Sequence, residues 1–266
     1  MTHIACEDIL VTRKQDLKNN YYSLSFAPFP QAKLCRPGQF VHIKIDSGEI
    51  MFRRAFSVAS VDPKKQEIEL IFKIFGRGTT LLGALRVGDR VNCLGPLGNK
   101  FALPKKNEPV MMIAGGIGFP PLLFLATSLI EGGHNPKSIH FFYGGRSGGD
   151  IIERQKIKKL GVNFIPVTQD GSFGQKGLVT KPAEELIKQM QANKQSPHLY
   201  GCGPEGMLRA VDALGVKYHL KGQIAIEAPM PCGVGVCLGC IVPLMKGGHL
   251  RVCYEGPVVG FGEVTL

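Results

Sequence analysis

Apolar and polar positions change their pattern twice along the chain. Over the first hundred or so residues, short runs rich in β-branched and aromatic residues stand at Phe40–Ile45, Met51–Ser60, Glu67–Phe75 and Arg90–Leu94. Turn clusters such as Arg36-Pro37-Gly38 and Asp62-Pro63-Lys64-Lys65 part them. Runs of this length between Gly/Pro turns predict a small antiparallel barrel. Thr79–Leu85 is the exception, a short helix after Gly76 and Gly78. A polar, proline-flanked linker, Pro104 to Pro109, follows, and beyond it buried-type strands alternate with helical stretches. Val110–Ala114 leads to Pro121–Ile130, Ile139–Tyr143 to Asp150–Leu160, Asn163–Val167 to Lys181–Asn193, and His198–Tyr200 to Pro204–Leu214. That alternation predicts a doubly wound parallel sheet with helices on both faces. From about Gln223 it stops, and glycines fall between closely spaced cysteines. The expected organisation is a β-barrel domain over 1–105, an α/β domain over 106–222 and a small module over 223–266. A module of that size cannot hold itself together by apolar burial alone, so a metal staple is expected.

One uncharged stretch, Val110 to Ile130, is long enough to span a bilayer. Gly115-Gly116, Gly118 and Pro120-Pro121 break it into strand, turn and helix, so a membrane span is not expected. The start, Met-Thr-His-Ile-Ala-Cys-Glu-Asp, lacks the basic-then-apolar order of a signal peptide. A cytoplasmic protein with reduced thiols is the expectation. The net charge of +11 makes the surface basic. No dense Lys/Arg run with interleaved aromatics accompanies it, which argues against nucleic-acid binding. Phosphate-bearing cofactors or an acidic protein partner account for the sign equally well.

The strongest chemical signal is Cys232-Gly-Val-Gly-Val-Cys237-Leu-Gly-Cys240 followed, after twelve residues, by Cys253. This is the C-x₄-C-x₂-C…C spacing of plant-type [2Fe–2S] sites, so these four cysteines are the candidate metal ligands. Gly233, Gly235 and Gly239 free the backbone to aim N–H groups at the sulfurs. A Cys₄ zinc site and a disulfide pair are the alternatives, although zinc ribbons present two paired knuckles and here the fourth cysteine stands alone. Cys6, Cys35 and Cys93 read as ordinary thiols.

Two further sets of residues point to nucleotide cofactors. Arg54-Ala55-Phe56-Ser57 offers a cation for a pyrophosphate, an aromatic ring for a flat heterocycle and a hydroxyl for a ring nitrogen. Gly76-Arg77-Gly78-Thr79-Thr80 is a glycine turn opening a helix, where N–H groups meet a phosphate and Thr79 caps or donates. Gly95-Pro96-Leu97-Gly98-Asn99 is a further turn able to bring backbone close to the cofactor. Together they predict a flavin site. Ala114-Gly115-Gly116-Ile117-Gly118 lies between an apolar strand and a helix, as a nucleotide-binding turn requires. Phe119 and Pro120-Pro121 depart from the full G-x-G-x-x-G string. Later strand ends carry Tyr143-Gly144-Gly145-Arg146-Ser147, Thr168-Gln169-Asp170-Gly171 and Gly201-Cys202-Gly203-Pro204, and open α/β sheets bind ligands at such ends.

The order barrel with Arg-x-aromatic-Ser, then Gly-Gly-x-Gly-x-x-Pro, then Cys-Gly-Pro resembles the ferredoxin–NADP reductase superfamily over residues 1 to about 220. With Glu227 to Cys240 and Val252-Cys253-Tyr254-Glu255-Gly256-Pro257-Val258 added, the whole chain is similar to the electron-transfer subunits of class 1B dihydroorotate dehydrogenases. The resemblance implies FAD and a [2Fe–2S] cluster in this chain, NAD(H) as second substrate, and an FMN-containing catalytic subunit as partner, in a heterotetramer. It implies a relay in pyrimidine biosynthesis: dihydroorotate reduces the partner's FMN, the cluster carries single electrons to FAD, and FAD reduces NAD⁺. By the same resemblance Arg54, Ala55, Phe56, Ser57, Gly76, Gly78 and Thr79 would hold FAD. Gly115, Gly116, Gly118, Cys202, Gly203 and Pro204 would face the nicotinamide nucleotide, with Cys202 and Ser57 as catalytic candidates. Phe56 stands where many superfamily members carry Tyr, which keeps the stacking surface without the hydroxyl. Arg146-Ser147 leaves the choice between NADH and NADPH open. Two alternatives also stay open: a subunit of an NADH-dependent ferredoxin–NADP oxidoreductase or sulfide dehydrogenase, and a non-catalytic zinc-stapled nucleotide-binding module. In those oxidoreductase relatives one ligand is typically Asp, whereas all four candidates here are Cys.

Overall fold

The computed structural model describes residues 4–45, 50–106 and 108–266. Met1–His3 of the start and Asn107 of the linker lie outside these. The N-terminal strands are β1 (Ala5–Lys18), β2 (Tyr21–Ala27), β3 (Phe40–Lys44), β4 (Arg54–Asp62), β5 (Glu67–Lys73) and β6 (Arg90–Leu97). They close into an antiparallel barrel in the order β1-β2-β5-β4-β3-β6. Its interior is filled by Ile9, Val11, Leu24, Phe26, Val41, Ile43, Val58, Leu70 and Val91. Burying each such side chain contributes about 1.5–3 kcal/mol. Helix α1 (Arg77–Ala84) follows β5. The strand read as Met51–Ser60 begins at Arg54, and two strands absent from the sequence reading, β1 and β2, complete the closure.

The second layer is a seven-stranded sheet. Its strands are β7 (Val110–Gly115), β8 (Ile139–Gly145), β9 (Asn163–Thr168), β10 (Gln175–Lys176), β11 (His198–Cys202) and β12 (Gly222–Ala225), with β15 (Val258–Gly260) from the chain's last segment. The order is β10-β9-β8-β7-β11-β12-β15. All pairings are parallel except β12 with β15, which closes one edge antiparallel. Successive residues of β7 alternate between faces: Val110, Met112 and Ala114 pack with helix α2 (Phe119–Glu131) and helix α3 (Arg154–Lys159). Met111 and Ile113 pack with α4 (Thr180–Ala192) and α5 (Glu205–Lys217). Helices therefore cover both faces, as doubly wound sheets require. The apolar stretch from Val110 divides into β7, a 3₁₀ turn and α2, and among the described residues no helix is long and apolar enough to cross a membrane.

The helix expected over Asp150–Leu160 starts later, at Arg154. Asp150 is held in a 3₁₀ turn because its carboxylate accepts hydrogen bonds from the Arg146 and Ser147 N–H groups, Tyr21 Oη and Lys73 Nζ. Lys73 and Tyr21 belong to the barrel, so this carboxylate ties barrel to sheet. A second tie is buried Glu69 on β5, which accepts from Ser23 (2.7 Å), Ser60 (2.7 Å) and Lys156 of α3 (2.8 Å). The last segment carries a hairpin, β13 (Ile241–Pro243) with β14 (His249–Arg251). All eight cysteines are free thiols.

Candidate functional site

Three clusters of the expected residues lie along the seam between barrel, sheet and last segment. In the first, Arg54, Ala55, Phe56 and Ser57 open β4, and Gly76, Gly78 and Thr79 form the start of α1. Arg54 crosses the α1 N-terminus so closely that a Cβ on Gly78 would lie 2.9 Å from its Nε. Nothing lies within 4 Å of the corresponding point on Gly76. A guanidinium beside an open helix N-terminus is a cradle for a pyrophosphate. Thr79 serves as the cap: its hydroxyl accepts from the Phe75 and Gly76 N–H groups and donates to the Gly76 carbonyl. Phe56 is half-buried against Phe72, 5.7 Å between ring centroids, while Ala55 is exposed and Ser57 half-buried beside it.

The second cluster lies where the strand order reverses, between β7 and β11. Gly115–Gly118 and Cys202–Pro204 are packed backbone against backbone there. A Cβ on Gly118 would meet the Cys202 carbonyl oxygen at 2.4 Å, and one on Gly203 would meet Gly115 Cα at 2.9 Å. Gly116 has φ +50°, and its carbonyl accepts a 3.0 Å hydrogen bond from buried Tyr143 of β8. Gly115, Gly116 and Pro204 of these turns line a cleft of about 570 Å³ together with Ile117, Gly145, Arg146, Gln169 and Met207, while Gly118, Cys202 and Gly203 are packed behind it. Crevices at such switch points take nucleotides. Cys202 is buried, and burial pushes its thiol up, with the nearby Glu227 carboxylate adding to the rise. It is therefore a protonated thiol at neutral pH. Glu227 is itself pushed up by burial. Ser147 caps its own turn by accepting from the Gly149 N–H, and Asp170 accepts from Ser172. The Arg146 side chain faces the cleft instead.

The third cluster is the cysteine loop. Cys240 and Cys253 are buried with their sulfurs 3.3 Å apart. Cys232 and Cys237 make the other pair. Burial pushes the Cys232 thiol up, but the Cys237 and Val234 N–H groups, the Cys237 thiol and the Val236 N–H overcome this and bring it down to about 6. Gly235 (φ +77°) donates its N–H to Cys253 Sγ at 3.2 Å, and Gly239 donates to Cys237 Sγ at 3.4 Å. Among the described residues no three His, Cys, Asp or Glu side chains converge as one ion requires. Two thiol pairs with backbone donors aimed at the sulfurs suit a two-iron centre better than one tetrahedral zinc. The residues present therefore fit a [2Fe–2S] cluster.

The turn at Gly95–Asn99 packs against the last segment of the chain. A Cβ on Gly98 would lie 2.6 Å from Pro257 and 2.9 Å from Phe40. The Asn99 amide donates to the Glu255 and Val258 carbonyls and accepts from the Val258 N–H. The turn seats the cluster segment on the barrel. Sequence reasoning also missed His42 of β3. Its ring is fully buried, neither nitrogen has a hydrogen-bond partner, and it lies against Gly233. Burial, with Arg53 nearby, pushes it down to about 4.

Comparison with known proteins follows this layout. Residues 8–101 match the oxidoreductase FAD-binding domain, 112–213 the oxidoreductase NAD-binding domain, and 227–265 the iron–sulfur cluster binding domain of dihydroorotate dehydrogenase B. The dihydroorotate dehydrogenase B (NAD(+)) electron transfer subunit of Shouchella clausii is 36% identical over 97% of both chains. The chain belongs to that family. The Streptococcus mutans member is 35% identical over 86% of both chains. A solved structure of an NADH-dependent reduced ferredoxin–NADP oxidoreductase superposes with a TM-score of 0.81 at 24% identity, over 97% of this chain and 89% of that one, which shows a shared fold. As a member of the dihydroorotate dehydrogenase B electron-transfer family, the chain is an oxidoreductase subunit with FAD-binding, NAD-binding and iron–sulfur parts.

Proposed function

We propose that this chain takes electrons from an FMN-containing dihydroorotate dehydrogenase catalytic subunit and delivers them to NAD⁺, in a heterotetramer of two copies of each. The division of labour follows residues 1–105, 106–222 and 223–266. The observation that carries this reading is the contiguity of the three clusters: Gly233 of the cysteine loop rests on His42, His42 pairs with Ala55 of the Arg54–Ser57 strand, and β12, which leads into the cysteine loop, pairs at Ala225 with Cys202. When bound, FAD and a [2Fe–2S] cluster supply the exchange between one-electron and hydride chemistry.

The chain's own residues bind and orient. Arg54 with the Gly76–Thr79 turn neutralises the FAD pyrophosphate, and Phe56 with Ser57 fixes the ring system. Gly115, Gly116 and Gly118 let the nucleotide approach backbone N–H groups, and Cys202, Gly203 and Pro204 close the nicotinamide side. Cys202 stands behind that side as a buried, uncharged thiol, and Ser57 offers a hydroxyl. Cys232, Cys237, Cys240 and Cys253 hold the cluster. Around them Val236 and Tyr254 are 78% and 59% exposed, with Leu238 and Ile241 exposed beside them. An apolar rim on a cluster loop supports docking of the catalytic subunit at this end.

Purification of the chain with and without the FMN subunit tests the proposal. Alone it should show flavin and iron–sulfur absorption and reduce dyes with NADH, without oxidising dihydroorotate. Adding the FMN subunit should couple dihydroorotate oxidation to NAD⁺. Dihydroorotate turnover by the chain alone, or a colourless zinc protein, would overturn the reading.

A further inference from the structure

His42 is out of keeping with its surroundings. Its neighbours Val41 and Ile43 point into the barrel core, while Phe40 and His42 point outwards, towards the cluster segment. Phe40 is packed with Cys240 and Cys253 in one apolar cluster, and the Phe40 and His42 rings are 5.6 Å apart. The His42 ring has no exposed surface, and both Nδ1 and Nε2 are without a partner. Buried polar groups are nearly always hydrogen-bonded, so one left without a partner points to a group that completes it.

The place the ring occupies identifies that group. A Cβ on Gly233 would lie 2.5 Å from His42 Cε1, 2.7 Å from Nδ1 and 3.0 Å from Nε2. Gly233 thus packs on the face of the ring, which seats the imidazole directly against the residue that follows Cys232, and only glycine, at φ +73°, leaves room for it. The nearby cation Arg53 has donors alone and spends them on Asn92 and Cys6. Imidazole carries at least one N–H whether neutral or charged, so the ring always has a donor to place. The loop already turns the N–H groups of Gly235 and Gly239 towards cysteine sulfurs. Thiolate and sulfide acceptors are what this end of the molecule provides.

We propose that a ring N–H of His42 donates a hydrogen bond to the sulfurs of the cluster held by the cysteine loop, which makes His42 a positioning group between that cluster and the FAD-binding strand. The inference rests on the cluster assignment made above. A donor on a cluster sulfur stabilises the more negative, reduced form and so raises the reduction potential. It also fixes the loop on β3, directly opposite Ala55.

The test uses the full chain with its cofactors. In wild-type protein labelled with ¹⁵N-histidine, ENDOR spectra of the reduced cluster should show a ¹⁵N coupling and an exchangeable proton lost in D₂O. Both should vanish in His42→Leu. The cluster midpoint potential of that variant should fall by about 59 mV, a tenfold change for one electron. His42→Gln, which keeps an N–H donor, should recover part of the shift. A wild-type cluster without the ¹⁵N coupling, or a His42→Leu variant with an unchanged potential, would overturn the hydrogen bond. If His42→Leu fails to assemble a cluster, the labelled wild-type protein decides alone. Absence of any cluster signal from wild-type protein would instead sink the cluster assignment itself.

Discussion

Substituting Gly118 by alanine tests the backbone-to-backbone packing behind the nucleotide cleft. Gly118 has φ −77°, so alanine adopts its backbone conformation without strain. The cost is purely steric. The new methyl would lie 2.4 Å from the Cys202 carbonyl oxygen, 2.5 Å from its carbon and 2.5 Å from Gly203 Cα. Close carbon–oxygen contacts run about 3.3–3.6 Å, so the two turns must part by roughly 1 Å. None of the three atoms is the end of a flexible side chain, so the opening moves the β7–α2 and β11–α5 turns themselves. Overpacking of this kind costs about 1–3 kcal/mol. A misplacement of 1 Å around reacting groups costs on the order of 100-fold in rate. Gly88→Ala is the matched control: nothing lies within 4 Å of its Cβ, and only φ +94° opposes it, at about 1–2 kcal/mol. Denaturant unfolding and NADH-dependent dye reduction should therefore diverge. Both variants lose similar stability, and Gly118→Ala alone loses kcat/KM for NADH by about two orders of magnitude. Wild-type kinetics in Gly118→Ala would refute the assignment of this packing to the nucleotide site.

Other outcomes follow from particular contacts. Burial pushes Glu69 up, but Lys156, Ser23 and Ser60 pull it below the ordinary carboxylate range. Its contribution to stability is then complete above about pH 4.3 and lost as pH falls through the lower folded value. Lys156→Met leaves the buried carboxylate with Arg13 at 3.6 Å as its remaining cation and should destabilise the protein by about 2 kcal/mol at neutral pH, whereas Glu69→Gln, Lys156→Met together should recover much of that loss. Thermal melts between pH 3 and 7 check both points. Cys240→Ser should abolish the EPR signal of the reduced cluster and transfer from dihydroorotate, while NADH-dependent dye reduction through FAD continues. Arg146 lines the cleft with no carboxylate paired to its side chain among the described residues, and Asp150 and Asp170 are both engaged elsewhere. Arg146→Glu should therefore lower kcat/KM for NADPH relative to NADH by at least about tenfold, the effect of roughly 1.4 kcal/mol; an unchanged ratio would exclude a 2′-phosphate contact.

The cysteine set and the glycine turns were legible because their chemistry depends on local spacing, which a sequence displays directly. The alternation of β7 to β11 with their helices was equally plain, since buried parallel strands read as continuous apolar runs. Strand β1 was not, because only Ile9 and Val11 are buried in fourteen residues and charges occupy the outer positions. Asp150 reads as a helix start until Lys73 and Tyr21 arrive from the barrel to hold it. His42 looks like any polar residue in a strand, and its meaning depends on Gly233, distant in sequence. The Gly95–Asn99 turn shows the same limit from the other side. Its glycine permits a close approach, and the partner, Gly256-Pro257, is far away in sequence.

These long-range contacts bear on how the relay is built. The cluster segment is not a bead on a linker: β12 is paired to β11 at Ala225 opposite Cys202, and β15 returns to close the sheet edge at β12. From Ala225 the chain runs through Glu227, beside Cys202, and reaches Cys232 within one short stretch. Strand β12 therefore fixes the cysteine loop relative to the nucleotide cleft, while Gly98, Asn99 and His42 fix it relative to the barrel. Each of these contacts is made by backbone, a glycine or a fully seated side chain, the elements least able to drift. Electron transfer among separate centres demands fixed separations, and sites built on rigid elements keep them. The abundance of close glycine approaches along this seam follows from that demand, because a Cβ at Gly98, Gly118 or Gly233 would push apart two of the surfaces that carry the cofactors.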